Sequence, residues 1–226
     1  MKKILITPLI MLVVLVSWAQ PGEVRSVGSF SGVKAGEAID VYLTKGDKES
    51  VRVVATGTDA SNVLTEVAGG YLRIHMRDGR YRNKTVKVYV TYVNLSKIYA
   101  SSAANIFSEG VIKASSLNIS TSSAASIEIS IDAGSVTAEA SSAGDVVLEG
   151  KARSLQVDVS SAGEVDAYAV DCESVQADAS SGGSIKVSAS KELTARASSG
   201  GSIRYRGNPA KTNTNSSSGG SVKKVY

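Results

Sequence analysis

Apolar and polar residues alternate with a period of two along most of this chain. The alternation is clearest around a Ser-Ser-(Ala/Gly)-(Ala/Gly)-x-(Ile/Val) block that occurs seven times. With the first serine as position 0, positions −5 and −3 are apolar in five successive copies, and position +5 is always Ile or Val. The +5 residues are Ile106, Ile127, Val146, Val165, Ile185, Ile203 and Val222. This period is typical of β-strands with one buried face and excludes a helix.

The spacing of the blocks predicts how the strands connect. Successive first serines lie 18 to 21 residues apart, at Ser101, Ser122, Ser141, Ser160, Ser180, Ser198 and Ser217. Such a unit holds two short strands, one on each side of the block, but it is too short for a strand–helix–strand crossover of roughly 30 residues. The sequence therefore predicts an all-β fold, a parallel β-helix-like solenoid with about 19 residues per coil, over residues 96–226.

The Ser-Ser block itself is interpreted as a corner of the solenoid. Small residues suit a tight bend where stacked backbones approach closely, and we expect the stacked serines to pair their hydroxyls between coils. In the last coil the inward positions become Thr212, Thr214 and Ser216. This polar coil is predicted to cap the C-terminal end, where the interior would otherwise be exposed.

Apolar and polar residues also alternate within residues 20–95, but they do not follow the register of the repeat. Examples are Ile39, Val41 and Leu43, and then Val86 and Val88. We expect either irregular β coils that cap the N-terminal end or a small sheet that leads into the solenoid. Together with the repeats they are predicted to form one domain, residues 20–226.

Residues 1–19 have the features of a secretory signal peptide. Lys2 and Lys3 precede an apolar run from Ile4 to Val16, and the small residue Ala19 follows. Their removal lowers the formal net charge from +4 to +2, so the composition does not support binding to nucleic acid. We expect an exported chain, in the periplasm or at the cell surface, with no membrane span after residue 19.

Few residues suit catalysis or metal binding. The one histidine, His75, lies on an outward phase, and the one cysteine, Cys172, is interpreted as a semi-buried small side chain rather than a reactive thiol or an intermolecular bridge. Zinc and other cofactors are therefore not predicted. Outward position −2 holds a ladder of acids about 5 Å apart, at most a weak calcium site. These acids are Glu139, Asp158 and Asp178.

A basic column on the C-terminal coils is the predicted ligand-binding site. Lys186, Arg204, Arg206 and Lys223 recur on one face beside Tyr205. Positive charge and an aromatic ring together suit an anionic glycan or an acidic partner. A second basic cluster with an aromatic residue occupies the loop at residues 77–84.

An ordered set of short segments resembles a known family. Phe30–Val33, Ala38–Leu43, Leu72–Ile74, Val88–Val90 and Ser101–Ala103 are similar to the "putative auto-transporter adhesin, head GIN domain" family, which is common in exported proteins of the Bacteroidetes. The resemblance covers nearly all of the chain after residue 19. It implies a right-handed parallel β-helix-like fold, an exported location and a role in adhesion.

Two classes of function are compatible with these observations. The first is a non-enzymatic, adhesin-like β-helix module that binds a glycan or a protein at the cell envelope. The alternative is a carbohydrate-active β-helix enzyme, a polysaccharide lyase or hydrolase, which would need clustered acids beside Lys or Arg on adjacent coils. Only the column formed by Glu139, Asp158, Asp178 and Arg196 approaches that arrangement.

Overall fold

The computed structural model describes residues 22–226, and the predicted signal peptide at residues 1–19 lies outside this part. Seventeen strands form one continuous sheet, and the described residues contain no α-helix, only a 3-10 turn at Ala60–Asn62. The strands are β1 (Glu23–Ser26), β2 (Gly32–Ala35), β3 (Asp40–Lys45), β4 (Ser50–Thr56), β5 (Val63–Ala68), β6 (Tyr71–Met76), β7 (Thr85–Tyr92), β8 (Lys97–Ala100), β9 (Asn105–Thr121), β10 (Ser126–Ala140), β11 (Asp145–Val159), β12 (Glu164–Ala179), β13 (Ser184–Ser188), β14 (Glu192–Ala197), β15 (Ser202–Arg206), β16 (Lys211–Ser216) and β17 (Ser221–Lys224).

The predicted solenoid is confirmed, with about seven turns of about 19 residues. Equivalent residues of successive coils pair in parallel, as in the row Ile127, Val146 and Val165. In the central coils the two expected short strands are joined into one long strand, β9 to β12, which runs from one corner to the next. The alternation breaks near Gly134 and Ser135, where β10 bends instead of ending.

Differences in coil length are absorbed in one part of the coil. The 21-residue spacing after Ser101 produces a register shift opposite Ile129, and the 20-residue spacing after Ser160 produces one opposite Leu148. Both shifts are bulges at the same place in the strand, where extra residues leave the ladder without moving the inward side chains that follow. The corner and the strand before it therefore keep their register.

The inward positions predicted from the alternation form one continuous core. At position +5 six of the seven side chains are fully buried, from Ile106 to Ile203, and only Val222 in the last coil is half-buried. Each fully buried Val or Ile stabilises the fold by about 1.5–3 kcal/mol. Cys172 belongs to this core as a small side chain that is fully buried rather than semi-buried, and burial raises the pKa of its thiol to about 11.

Each Ser-Ser block forms the same corner, a turn with two successive left-handed residues. In one coil Ser161 has φ 50° and Ala162 has φ 59°, and the Gly163 amide donates to the Ser160 carbonyl at 2.9 Å. The two small residues are therefore needed for different reasons. Position +2 is exposed and left-handed, whereas position +3 is buried, and a Cβ at Gly163 would lie 2.7 Å from the Ala140 carbonyl oxygen.

The corners are joined by backbone groups and not by the hydroxyl pairs expected from the sequence. The amide at position +2 donates to the +1 carbonyl of the next coil, for example from Ala124 to Ser142 at 3.1 Å and from Ala143 to Ser161 at 3.1 Å. The amide at position 0 donates to the preceding coil in the same manner, from Ser160 to Ala140 at 3.0 Å. These two sets of bonds connect each corner between the two ends of the stack to both of its neighbours.

One coil of the N-terminal part has the same corner as the repeats, although the sequence placed residues 20–95 outside the register of the repeat. Glu37 and Ala38 have φ 62° and 56°, and the Ala38 amide donates to the Ser102 carbonyl at 2.9 Å, so Gly36–Ile39 forms the same corner without serines. This first coil, β2 and β3, lies between the coil formed by β6 and β7 and the coil formed by β8 and β9. The sequence order and the stacking order therefore differ.

Antiparallel strands close the N-terminal end of the solenoid. β5 pairs with β6, and β4 pairs with β7 and with β1. The Arg25 guanidinium on β1 donates to the carbonyls of Val63 at 2.5 Å and Ala60 at 2.8 Å, which ties this end together. At the other end the polar residues of β16 lie where the cap was predicted, but all six are exposed.

Two neighbouring glycines test the two roles within the corner. Gly200 is left-handed with φ +76°, and a Cβ there would make only an ordinary contact of 3.9 Å with the Gly182 nitrogen, whereas a Cβ at Gly201 would overlap the Ala179 carbonyl oxygen. We expect Gly200→Ala to lower the free energy of unfolding by about 1 kcal/mol, through left-handed strain alone. Gly201→Ala should lower it by about 3 kcal/mol, because backbone atoms must move. Urea unfolding measures both, and equal losses would contradict this account.

Candidate ligand-binding surfaces

A polar groove runs along the solenoid on the face that precedes the corners. It encloses about 520 Å³ and is lined by the −2 side chains together with the first serines of the corners. One −2 side chain comes from each coil, in the order Ser120, Glu139, Asp158, Asp178, Arg196 and Asn215. The first serines in the lining are Ser141, Ser160, Ser180, Ser198 and Ser217. We call this surface the polar groove.

Parallel pairing sets the acids of the polar groove side by side. Glu139 lies in register with Asp158, and Asp158 with Asp178, so neighbouring carboxylates belong to adjacent coils about 4.8 Å apart. The Gln156 amide donates to Asp158 at 3.0 Å, and Arg196 lies 3.6 Å from Asp178. Hydrogen bonds and charge thus orient two of the three acids.

These acids do not converge on a point. Within residues 22–226 no group of three or more His, Cys, Asp or Glu side chains is arranged to hold a metal ion. A ladder spreads its carboxylates along a line, whereas calcium needs six to eight oxygens around one centre. The arrangement therefore gives no support to the calcium site considered for Glu139, Asp158 and Asp178.

The N-terminal end of the polar groove is aromatic. A second concavity of about 380 Å³ shares Ser120 and Glu139 with it and is lined by Tyr71 and Tyr99. The Lys97 ammonium lies 5.4 Å from the centre of the Tyr71 ring. The Tyr71 ring lies over Gly32, where a Cβ would come within 2.6 Å of it. Sequence reasoning missed this end, although a glycine inside a strand signals such a close approach.

The basic column is only partly assembled as predicted. Lys186, Arg204 and Lys223 lie in register on adjacent coils. The Lys186 ammonium, however, lies 2.8 Å from Glu164 and 3.1 Å from Asp166, and hydrogen bonds to these two carboxylates raise its pKa. Its charge is therefore compensated within the protein. Arg204 and Lys223 are exposed and form no ion pair within residues 22–226.

Tyr205 and Arg206 make contacts of their own, apart from the register of Lys186, Arg204 and Lys223. Tyr205 is in register with the buried Val187 and packs, partly buried, against the core. The Arg206 guanidinium lies 4.1 Å from the centre of the Tyr168 ring, two coils away. Tyr168 lies in the bulge of β12, so the sequence spacing alone could not place it beside Arg206.

Besides burial, the acids around Lys186 raise the pKa of a neighbouring carboxyl group, that of Asp145. Burial raises the pKa of Asp145, and the neighbouring charges of Glu164 and Asp166 raise it further. Lys186 opposes this effect. The lysine of the predicted basic site is therefore the counter-charge of an acidic cluster.

An aromatic stack in the N-terminal coils was also missed. The Tyr42 ring lies 5.1 Å from Tyr89 and 5.4 Å from Phe107, with the rings nearly parallel, and Arg52 lies 3.9 Å from the centre of the Tyr89 ring. The three rings are outward and in register because β3 pairs with both β7 and β9. Only the interleaved order of the N-terminal coils brings them together, and the sequence offers no simple signal for that order.

The family "Putative auto-transporter adhesin, head GIN domain" matches residues 29–209. The chain belongs to this family. No curated protein sequence matches it.

Several solved structures share the fold. A "putative adhesin" from Bacteroides fragilis has a TM-score of 0.82 at 19% identity, over 91% of this chain and 96% of that one. A "putative adhesin" from Parabacteroides merdae has a TM-score of 0.76 at 17% identity, over 91% and 96%. A "putative lipid binding protein" from Parabacteroides distasonis has a TM-score of 0.65 at 18% identity, over 92% and 98%. At these identities the likeness shows the fold alone.

The described part of the chain contains no helix long and apolar enough to cross a membrane.

Arg204 and Lys223, the two residues of the basic column that form no ion pair within residues 22–226, lead to a prediction about anionic ligands. We expect the double variant Arg204→Ala, Lys223→Ala to elute from a heparin column at lower salt than the parent protein, because it removes the two exposed charges that lie in register. The matched control is Lys113→Ala, Lys151→Ala, which removes the same charge from exposed positions elsewhere. Equal elution of the two double variants would show that only net charge matters and would contradict a basic site.

Proposed function

We propose that this protein is exported and acts as a non-enzymatic β-solenoid module that binds a glycan or a protein at the cell envelope, in the periplasm or at the cell surface. Membership of an adhesin family supports binding of an external molecule. The observation that carries the proposal is the polar groove, which crosses six coils and offers a side chain from every one of them.

The construction of the groove suits recognition. Except for Asn215 on the last coil, its −2 side chains stand on strands held by parallel ladders on both sides, so little backbone freedom is lost when a ligand binds. Gln156 and Gln176 donate to the neighbouring Asp158 and Asp178, which fixes the direction of these carboxylates. Apart from Val159, Ala179 and Ala197, every residue of the lining carries a polar or charged side chain. This lining favours a polar ligand, and for this reason the proposal does not include a lipid.

The proposal predicts retention by envelope material. Purified residues 20–226 should bind immobilised envelope glycans or proteins saturably, and treatment with EDTA should leave binding unchanged, because the groove has no arrangement for a metal ion. Binding isotherms with and without EDTA measure this.

Localisation provides the companion measurement. The full chain should be processed near Ala19 and recovered from the periplasm or shaved from intact cells by protease. An unprocessed cytoplasmic chain that binds no envelope fraction would contradict the proposal.

A carbohydrate-active enzyme remains the second candidate because of one observation. Neighbouring carboxylates of the groove belong to coils about 4.8 Å apart, near the roughly 5–5.5 Å separation found in retaining glycosidases. Asp178 also has Arg196 beside it at 3.6 Å.

A direct assay separates the two candidates. We expect a panel of polysaccharides to yield neither new reducing ends nor unsaturated products, since the proposed role is binding. Turnover that is present in the parent protein and absent in Asp158→Asn or Asp178→Asn would establish the enzyme instead. The control Asp132→Asn changes an exposed acid of the solenoid outside the groove.

A further inference from the structure

The polar groove has a direction and a repeat distance. Its six −2 side chains follow one another from coil to coil, so the line from Ser120 to Asn215 runs along the solenoid axis. With about 4.8 Å between coils, this line is about 24 Å long. Each step along it also presents a first serine, such as Ser160 or Ser180. A ligand that fits must therefore be long, thin and repetitive.

The repeat distance distinguishes between kinds of chain. An extended peptide presents side chains of the same face about 6.8 Å apart, so against coils about 4.8 Å apart it leaves register by about 2 Å at every step. A linear chain of β-1,4-linked sugar rings advances by nearly one coil spacing per ring, and because neighbouring rings are turned over relative to each other, it can repeat the same contacts at every second coil. The spacing therefore favours a glycan over a peptide.

The charges of the groove restrict the glycan further. Glu139, Asp158 and Asp178 occupy three successive coils, and Arg196 is their one basic neighbour in the lining. Carboxylates accept hydrogen bonds from sugar hydroxyls but repel uronic acid or sulfate groups. A chain without acidic groups is consequently the matching ligand.

The aromatic end offers a stacking surface. Tyr99 is in register with Lys34 on one side and with the small Ser120 on the other. The Lys34 ammonium lies 4.6 Å from the centre of the ring, and the Tyr99 hydroxyl lies 3.3 Å from the Ser122 hydroxyl, which orients the ring. The side of Tyr99 toward Ser120 therefore opens onto the groove, where the apolar face of a terminal sugar can pack against it.

We propose that the polar groove binds a linear glycan without acidic groups, aligned with the solenoid axis at about one sugar per coil and stacked at its end on Tyr99. This inference rests on the proposed binding function and assigns it a ligand class and a geometry.

A length series tests the geometry. β-1,4-linked N-acetylglucosamine and glucose oligosaccharides, from dimers to hexamers, are titrated by calorimetry against the parent protein. Affinity should rise with each added sugar up to the hexamer. Ser160→Tyr, in the middle of the groove, should weaken hexamer binding about tenfold or more. Ser198→Tyr, nearer its C-terminal end, should instead stop the rise at shorter oligosaccharides.

Matched controls exclude effects on folding. Val147→Tyr adds the same ring to an outward, 37% exposed position of the same coil, away from the groove, and should bind like the parent protein. Thermal unfolding of all variants checks that the coils stay intact. Polygalacturonate provides the acidic comparison and should not compete for the groove.

Each result decides the inference. Affinity that is independent of length, equal hexamer binding by the Ser160→Tyr variant and the parent protein, or no binding by any oligosaccharide of the series would overturn it. Saturable binding to envelope material that Ser160→Tyr leaves unchanged would overturn the groove assignment while the proposed binding function stands. An extended peptide that displaces the glycans would identify a protein ligand instead.

Discussion

The left-handed corner is the constraint on which the rest of this structure depends. Two successive residues with positive φ reverse the direction of the chain within four residues, and their amides and carbonyls bond to the coils on both sides. Left-handed alanines and serines each cost about 1–2 kcal/mol, so the corner persists because the ladders and the buried core around it outweigh the strain. Register, core and groove all follow from its position.

The periodic part of the fold could be predicted from the sequence because one physical cause repeats. Position +5 is buried and therefore holds Ile or Val in every coil, and the alternation of apolar and polar residues identifies such buried positions directly. The corner at Gly36–Ile39 could not be found from the motif, because a corner requires left-handed backbone and not serine, so Glu37 and Ala38 fill it instead. The interleaved N-terminal coils were not predictable, since stacking order leaves no trace in local alternation.

The candidate surfaces also contain some features that the repeat predicts and others that it does not. The in-register acids at Glu139, Asp158 and Asp178 were visible from the repeat, because a fixed coil length places equivalent residues side by side. Asp166 and Lys186 share the +6 column, so their ion pair could be expected from the repeat, whereas the contact of Lys186 with Glu164 crosses from the +6 to the +4 column and depends on side-chain reach. Tyr71 and Tyr99 come together only through the pairing of β2 with β6 and β8.

The bulges opposite Ile129 and Leu148 have a consequence for how such a protein can change over evolutionary time. Residues gained or lost in a coil are accommodated at one place along the coil, as bulges within the strand. The corner and the strand before it remain fixed while this place varies. One side of the solenoid can therefore acquire new surface features without disturbing the polar groove.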